Sequence, residues 1–211
     1  MDFGFVLSQS VTQAIGVTAI IYCLAAMGVN MQFGYAGLLN FGQVAFVAVG
    51  AYSIGVIVVT LGMNLWLAIL VGLLGAIALA LILGIPTLRL RADYLAIVTI
   101  AASEIIRLVV RSIALRDTLG GVNGINGKMG QEFHDLNPFP QDISLPFLAF
   151  TRQDLWVACV GWALVALLTL GVWLLVRSPW GRVIKAIRED EHAVVSLGKN
   201  TYWYKMQALA I

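Results

Sequence analysis

Groups able to do chemistry are few in this chain of 211 residues, so their positions matter. The two histidines are His134 and His192, and the two cysteines are Cys23 and Cys159; they form no Cys/His/carboxylate cluster with the spacing of a metal site. Glu104, Arg107 and Arg111 are three and four residues apart, which places a carboxylate and two guanidinium groups on one face of a helix. With that helix starting near Tyr94, Glu104 lies about 15 Å along it, a depth at which a charge in apolar surroundings must be paired or face a polar interior. Two readings stay open. Glu104 and Arg107 form a buried charge pair that neutralises itself, or they belong to the wall of a pathway. Gly127-Lys128 resembles the end of a phosphate-binding loop, but Val122 stands where that motif needs Gly and Met129 where it needs Ser or Thr.

The densest group of charges is 177–205, RSPWGRVIKAIREDEHAVVSLGKNTYWYK. Ser178 is placed to cap a helix, Pro179 stands at the first helical position, and Gly198 suits the left-handed turn that ends it. Val183, Ile184, Ile187 and Val194 fall on one side of this helix. Arg182, Lys185, Arg188, Glu189 and Asp190 mostly fall elsewhere. Such an amphipathic helix is suited to docking on a soluble partner. It also reads as a solvated loop with ordinary pairing, such as Lys185 with Glu189.

The surrounding chain is a membrane protein by composition. Hydrophobic residues make up 60% and charged residues 11%, with a mean hydropathy of +0.90, far from the quarter of charged residues in an average soluble domain. No Asp, Glu, Lys or Arg occurs from Phe3 to Leu88; as helix, that run extends on the order of 130 Å, several times a bilayer core of about 30 Å. It must turn back repeatedly. Spans are expected at 11–29, 44–61, 65–83, 94–110 and 155–176, with breaks at Gly62-Met63-Asn64 and Gly84-Ile85-Pro86. The runs do not alternate as barrel strands would. The expected fold class is therefore all-α, a polytopic transmembrane helix bundle of about five spans. The N-terminus lacks the basic region of a cleaved signal, and Cys23 and Cys159, both within apolar spans, read as packed thiols. A net charge of +2 gives no case for nucleic acid. Lys and Arg gather at Arg89 and Arg91 and in 177–205, which puts these in the cytoplasm, and the long loop 112–154 and the N-terminus outside.

Between the first two spans lies NMQFGYAGLLNFGQ, residues 30–43. Its glycines, carboxamides and aromatics disfavour a lipid-facing helix, and irregular backbone at membrane depth needs protein or a water-filled cavity around it. Asn30, Gly34, Tyr35, Gly37, Asn40, Phe41, Gly42 and Gln43 are the pathway candidates of this broken or re-entrant segment; a simple turn with small-residue packing is the other reading. In the third span Ala68, Gly72, Ala76, Ala80 and Gly84 form a ridge of small residues for close helix packing. Four glycines in 120–127 imply a tight external turn, and the proline-punctuated remainder to 154 reads as irregular.

Several of these stretches resemble a known family. NxxxGYAGLLNFGQVAF, the run from Leu90 through Tyr94–Thr99 to Glu104–Arg107, the Thr118-Leu119-Gly120-Gly121 element and SPWGRVIKAIREDEHAVVSLGKN are similar to the permease subunits of branched-chain amino acid ABC importers, the LivM-type family. The resemblance covers nearly all of the chain. It implies one transmembrane permease domain, 1–211, with 177–205 as a cytoplasmic coupling segment and further spans expected beyond Ile211. Glu191, Ala193 and Gly198 are the nearest counterparts of the Glu-Ala-Ala…Gly pattern of ABC permeases, although His192 takes the middle position and the glycine is one residue late. With Arg182, Lys185, Arg188, Glu189 and Asp190 they form the expected coupling set. The implied partners are a second permease subunit, two ATP-binding subunits that hold ATP and Mg, an external solute-binding protein and membrane lipid, in the plasma (inner) membrane. No cofactor is expected in this chain. The substrates implied are branched-chain amino acids, with urea or short amides as sibling substrates. An enzyme is disfavoured because His134 and His192 fall on opposite sides of the membrane; an ion-coupled secondary transporter or channel is the competing class.

Overall fold

The computed structural model describes residues 10–88, 92–125, 131–139, 143–145 and 148–211. The N-terminal residues before Ser10, Arg89 and Arg91 of the basic connection, Gly127-Lys128, and Pro140, Pro146 and Phe147 of the segment 112–154 lie outside them.

The chain is overwhelmingly helical. Among the described residues four helices are long and apolar enough to cross a membrane: α1 Ser10–Tyr35, α2 Gln43–Thr60, α3 Leu65–Thr87 and α7 Arg152–Arg177. The fifth expected span is α4, Ala92–Arg111, a helix of 20 residues, whose content of Asp93, Glu104, Arg107 and Arg111 keeps it outside that class. Between α4 and α7 come the short helices α5 Arg116–Leu119 and α6 Gln131–Asp135. An antiparallel pair of strands follows, β1 Ile143–Leu145 with β2 Leu148–Phe150, so the segment 112–154 is not wholly irregular. After α7 the chain forms α8 Pro179–Glu189, α9 Glu191–Ser196 and α10 Thr201–Ala210.

The contacts divide the chain into two units, Met1–Met27 with Gln131–Leu174, and Gly28–Gly130 with Leu175–Ile211. In the first, Ile20, Ala158 and Val165 form a small core against half-buried Cys23, and the Gly161 Cα hydrogen gives Ile20 its space: a Cβ there would stand 2.7 Å from Ile20 Cδ1. The first helix is interrupted at Gly16, where Ala19 N–H bonds to the Gly16 carbonyl instead of that of Ile15. Trp162 Nε1–H donates to the released Ile15 carbonyl at 2.8 Å, so the polar group remains satisfied among apolar neighbours. Trp156 stacks on Phe133 and donates to its carbonyl at 3.0 Å. Cys159, expected to be packed, is exposed on this chain.

In the second unit, the ridge of small residues on α3 does what its spacing requires, and its neighbours belong to this same chain. Ala68, Gly72, Ala80 and Gly84 are buried. A Cβ on Gly72 would stand 3.4 Å from the Gly50 carbonyl of α2, and one on Gly84 would stand 2.7 Å from Met206 Sδ of α10. Gly84-Ile85-Pro86 is therefore not a break. Glycine at 84 admits the α10 side chains, the Thr87 hydroxyl donates back to the Leu83 carbonyl, and α3 runs on to Thr87 through Pro86. The expected turn at 62–64 forms, with Gly62 at φ +64 and Asn64 capping α3 through Trp66 N–H at 2.7 Å.

The core of this unit joins the segment after α1 (Ala36, Leu38), α3 (Ala80), α4 (Leu95), α8 (Ile184, Ile187), α9 (Val194) and α10 (Met206, Ala208, Leu209). Burying each large aliphatic side chain contributes about 1.5–3 kcal/mol. The charged segment is therefore held to the helix bundle by the apolar stripe its sequence displays.

Candidate coupling segment and transport site

The candidate coupling segment begins as its sequence dictates. Ser178 Oγ accepts from Gly181 N–H at 3.4 Å, and Pro179 opens α8. The expected single helix is, however, interrupted at Asp190, whose backbone is extended at φ −152, ψ 102 and whose carboxylate accepts from Ala193 N–H at 3.0 Å to start α9. Asp190 is a better N-cap than a helix-interior residue, and the second start re-aims Val194 into the core. Gly198 ends the segment at φ +76, and Asn200 caps α10 through Trp203 N–H at 3.3 Å.

Of the expected coupling residues Glu191 is half-buried and the other seven are exposed, yet several of them reach groups of this same chain. Lys185 does not ion-pair with Glu189; its ammonium lies 5.5 Å over the Tyr35 ring. Arg188 turns back to the bundle, where Nη1 donates to the Gly34 carbonyl. Glu191 accepts from Lys205 Nζ of α10 at 2.5 Å. Burial raises the Glu191 carboxyl, but Lys205 and the Thr201 hydroxyl outweigh it and hold the group below its ordinary value near 4.5. Trp180 Nε1–H to Gln207 Oε1 at 2.8 Å adds a second tie between α8 and α10.

The break between α1 and α2 is shorter than the sequence implies. Asn30–Tyr35 is a wide π-helical turn that extends α1, closed by Ala36 N–H to the Met31 carbonyl at 3.2 Å and Leu38 N–H to that of Gln32 at 2.9 Å. Residues 36–42 are non-helical. Gly37, at φ +67, ends the helix in the left-handed conformation that glycine adopts without strain. The Gly34 carbonyl is among the last in α1, which no later turn can satisfy, and Arg188 supplies its donor.

The pathway candidates separate into two groups. Asn40 and Gly42 are buried, whereas Asn30 and Phe41 are exposed, with Gly34, Tyr35, Gly37 and Gln43 between. Asn40 Nδ2 donates to Gln32 Oε1 at 2.7 Å, and its Oδ1 accepts from Gly42 N–H at 2.8 Å. Gln32 in turn donates to the Leu209 carbonyl at 3.3 Å. Phe41 N–H donates to Thr99 Oγ1 of α4 at 3.2 Å, and a Cβ on Gly42 would collide with the Thr99 carbonyl. Gln43 Oε1 is buried without a hydrogen-bond donor among the described residues. Sequence reasoning missed Gln32 and Thr99. Gln32 lay in plain view as a carboxamide in the same segment; Thr99, in an apolar run, gave no signal, because its use depends on a partner 58 residues away.

Glu104 and Arg107 form the expected pair, with Nε to Oε2 at 2.8 Å and Nη2 to Oε1 at 2.5 Å. Within this chain they are not buried: the side chains are 51% and 50% exposed. The reason is positional, since they face a cavity of about 570 Å³ between α2, α4 and the 121–124 turn. Gly120, Gly121 and Gly124 of the expected tight turn have φ of +75, +59 and +70, and a Cβ on Gly120 would collide with the Gly124 carbonyl.

Known proteins are similar in sequence along most of the chain. Residues 11–211 match the family described as branched-chain amino acid transport system, permease component. The chain is 32% identical over 95% of its length to the high-affinity branched-chain amino acid transport system permease protein LivM of Escherichia coli, covering 49% of that protein. The corresponding Salmonella typhimurium protein is 33% identical over 93% of the chain, with 48% of its own length covered. The probable branched-chain amino acid transport permease LivM of Methanocaldococcus jannaschii is 26% identical over 90% of the chain and 60% of its own length. The chain thus spans about half the length of the two bacterial relatives. No solved structure matches it. The apolar helices, the glycine-ended break, the capped amphipathic segment and the match from residue 11 to residue 211 establish a multi-pass membrane protein that belongs to the permease component family of branched-chain amino acid transport systems.

Proposed function

We propose that this chain is a membrane-spanning permease subunit of an ATP-binding-cassette importer that carries branched-chain amino acids, or similar small amino acids and amides, into the cell. Its relatives are named as permease proteins of branched-chain amino acid transport. ATP is hydrolysed on two partner subunits, a second permease subunit completes the passage, and an external binding protein delivers the solute. The protein lies in the inner membrane with its N-terminus outside and α4 as a further crossing, an orientation that follows from the Lys and Arg of 177–205. The two contact units are parts of one permease domain.

One observation carries the mechanism. The amphipathic α8 shares a core with the break after α1 and donates from Arg188 to the Gly34 carbonyl. Closure of the ATPase subunits against Arg182 and Glu189 displaces α8, and α8 cannot move without moving the 34–42 backbone. That backbone bonds to Thr99 of α4, so the displacement reaches the cavity helix and shifts the balance between outward- and inward-facing arrangements.

The test is ATP turnover in proteoliposomes that hold this subunit with its candidate partners, with and without solute-loaded binding protein. Stimulation by the loaded protein that is lost in an Arg182→Ala, Glu189→Ala variant supports the docking role. Uptake driven by a proton or sodium gradient with no ATP turnover would establish an ion-coupled transporter instead.

A further inference from the structure

Resting on the permease reading, we propose that the cavity between α2, α4 and the 121–124 turn is a subsite for a zwitterionic amino acid, with Arg111 and Arg107 taking its carboxylate and Glu104 its ammonium group. The volume of about 570 Å³ falls in the range of small-molecule sites, roughly 300–1,000 Å³. One wall is the charged face of α4. The opposite wall is formed by Val44, Ala48 and Tyr52 of α2, largely apolar, with the small Ala48 leaving room for an aliphatic group.

The charges on the α4 wall are not balanced among themselves. Arg107 is engaged with Glu104 through two hydrogen bonds, while Arg111, one turn further on and exposed, makes no ion pair with any described residue. A self-sufficient structural pair requires neither the third charge nor the open space in front of it. A ligand carboxylate can take the guanidinium fork of Arg111 in two-point fashion, with Arg107 as its neighbour. Arg107 then shares its hold on Glu104, whose carboxylate has lone pairs left for an ammonium group. Binding adds an ionic partner for each ligand charge, which offsets the water the ligand sheds, and it discriminates against amines and acids that supply only one of the two charges. The 121–124 turn lies over the same cavity, and its left-handed glycines hold the backbone close without adding side chains to fill it.

The experiment uses the assembled transporter in proteoliposomes and the purified chain in nanodiscs. In the first, Arg111→Leu is expected to lower the leucine moved per ATP hydrolysed by about ten-fold or more, and Ala48→Phe to lower leucine movement while alanine movement persists. Both ratios staying within about two-fold of the parent overturns the subsite. In the second, leucine is compared with isoamylamine, which lacks the carboxylate, and 4-methylpentanoate, which lacks the ammonium group. Leucine binding that exceeds both, and that Arg111→Leu removes, supports the subsite; equal binding of all three, or none, overturns it. Because the nanodisc measurement needs no partner, a parent transporter that shows no ATP stimulation would refute the importer reading and leave the subsite to be decided by binding.

Discussion

Arg188→Ala is the perturbation that most directly examines how α8 grips the bundle. It removes the donor to the Gly34 carbonyl and the aliphatic stem that rests beside Gly37, whose Cβ position would be 3.0 Å from Arg188 Cγ. A hydrogen bond from a charged donor contributes about 1.5–3 kcal/mol when its acceptor is left unsatisfied. Arg188 is exposed and water can reach the carbonyl, so the effect falls at or just below the bottom of that range, about 1–1.5 kcal/mol. Ile184 and Ile187 keep α8 docked, and global unfolding changes little. The loss falls on the linkage between α8 and the break, where about 1.4 kcal/mol is a factor of ten in a two-state balance. The assay is amino acid moved per ATP hydrolysed in proteoliposomes, with thermal unfolding of the complex as control. We expect a fall of about five- to ten-fold in that ratio with assembly intact. Arg188→Lys, which keeps a charged donor but not the fork, should recover part of it. Gly37→Ala strikes the same contact from the other side and adds the left-handed strain of about 1–2 kcal/mol. Parent-like transport ratios in both Arg188→Ala and Gly37→Ala would refute the linkage.

Thr99→Val keeps the shape of a fully buried side chain but removes the acceptor of Phe41 N–H; we expect a loss of about 1–3 kcal/mol in thermal unfolding and faster amide exchange at 41. Gly84→Leu places a side chain where Met206 and Leu209 stand and should cost about 1–3 kcal/mol of stability through overpacking, with Gly84→Ala milder because Met206 is flexible. For Glu191 the folded carboxyl lies below its ordinary value near 4.5, so its contribution is complete above about pH 4.5 and is lost as pH falls through the folded value. With the carboxylate 42% exposed, the pair with Lys205 contributes under about 1 kcal/mol. Protection of the α9 and α10 amides relative to their intrinsic exchange rates should therefore be flat near neutrality and fall only in that acid range; Lys205→Met should remove the step.

The apolar spans, the capped start of α8, the glycine turn at 120–124 and the ridge on α3 were legible in the amino-acid sequence because each depends on local chemistry: hydropathy, a cap, a positive φ, a period of four. The candidate site was legible only in its parts. Glu104 and Arg107 lie one turn apart and were bound to meet, yet their exposure depends on where α2 and the 121–124 turn stand. Arg188 reads as a solvated charge on its own helix, and only the fold supplies an unsatisfied carbonyl 154 residues earlier in the chain. Gly84 next to Pro86 looks like a helix break until α10 lies against it. Local sequence fixes which backbone groups want partners and which faces are apolar, whereas long-range packing decides which partner arrives. The sequence determined a membrane helix bundle with an amphipathic charged segment. The tertiary structure decided that this segment and the break after α1 share one core, because burying the α8 stripe and satisfying the end of α1 are met by the same contact.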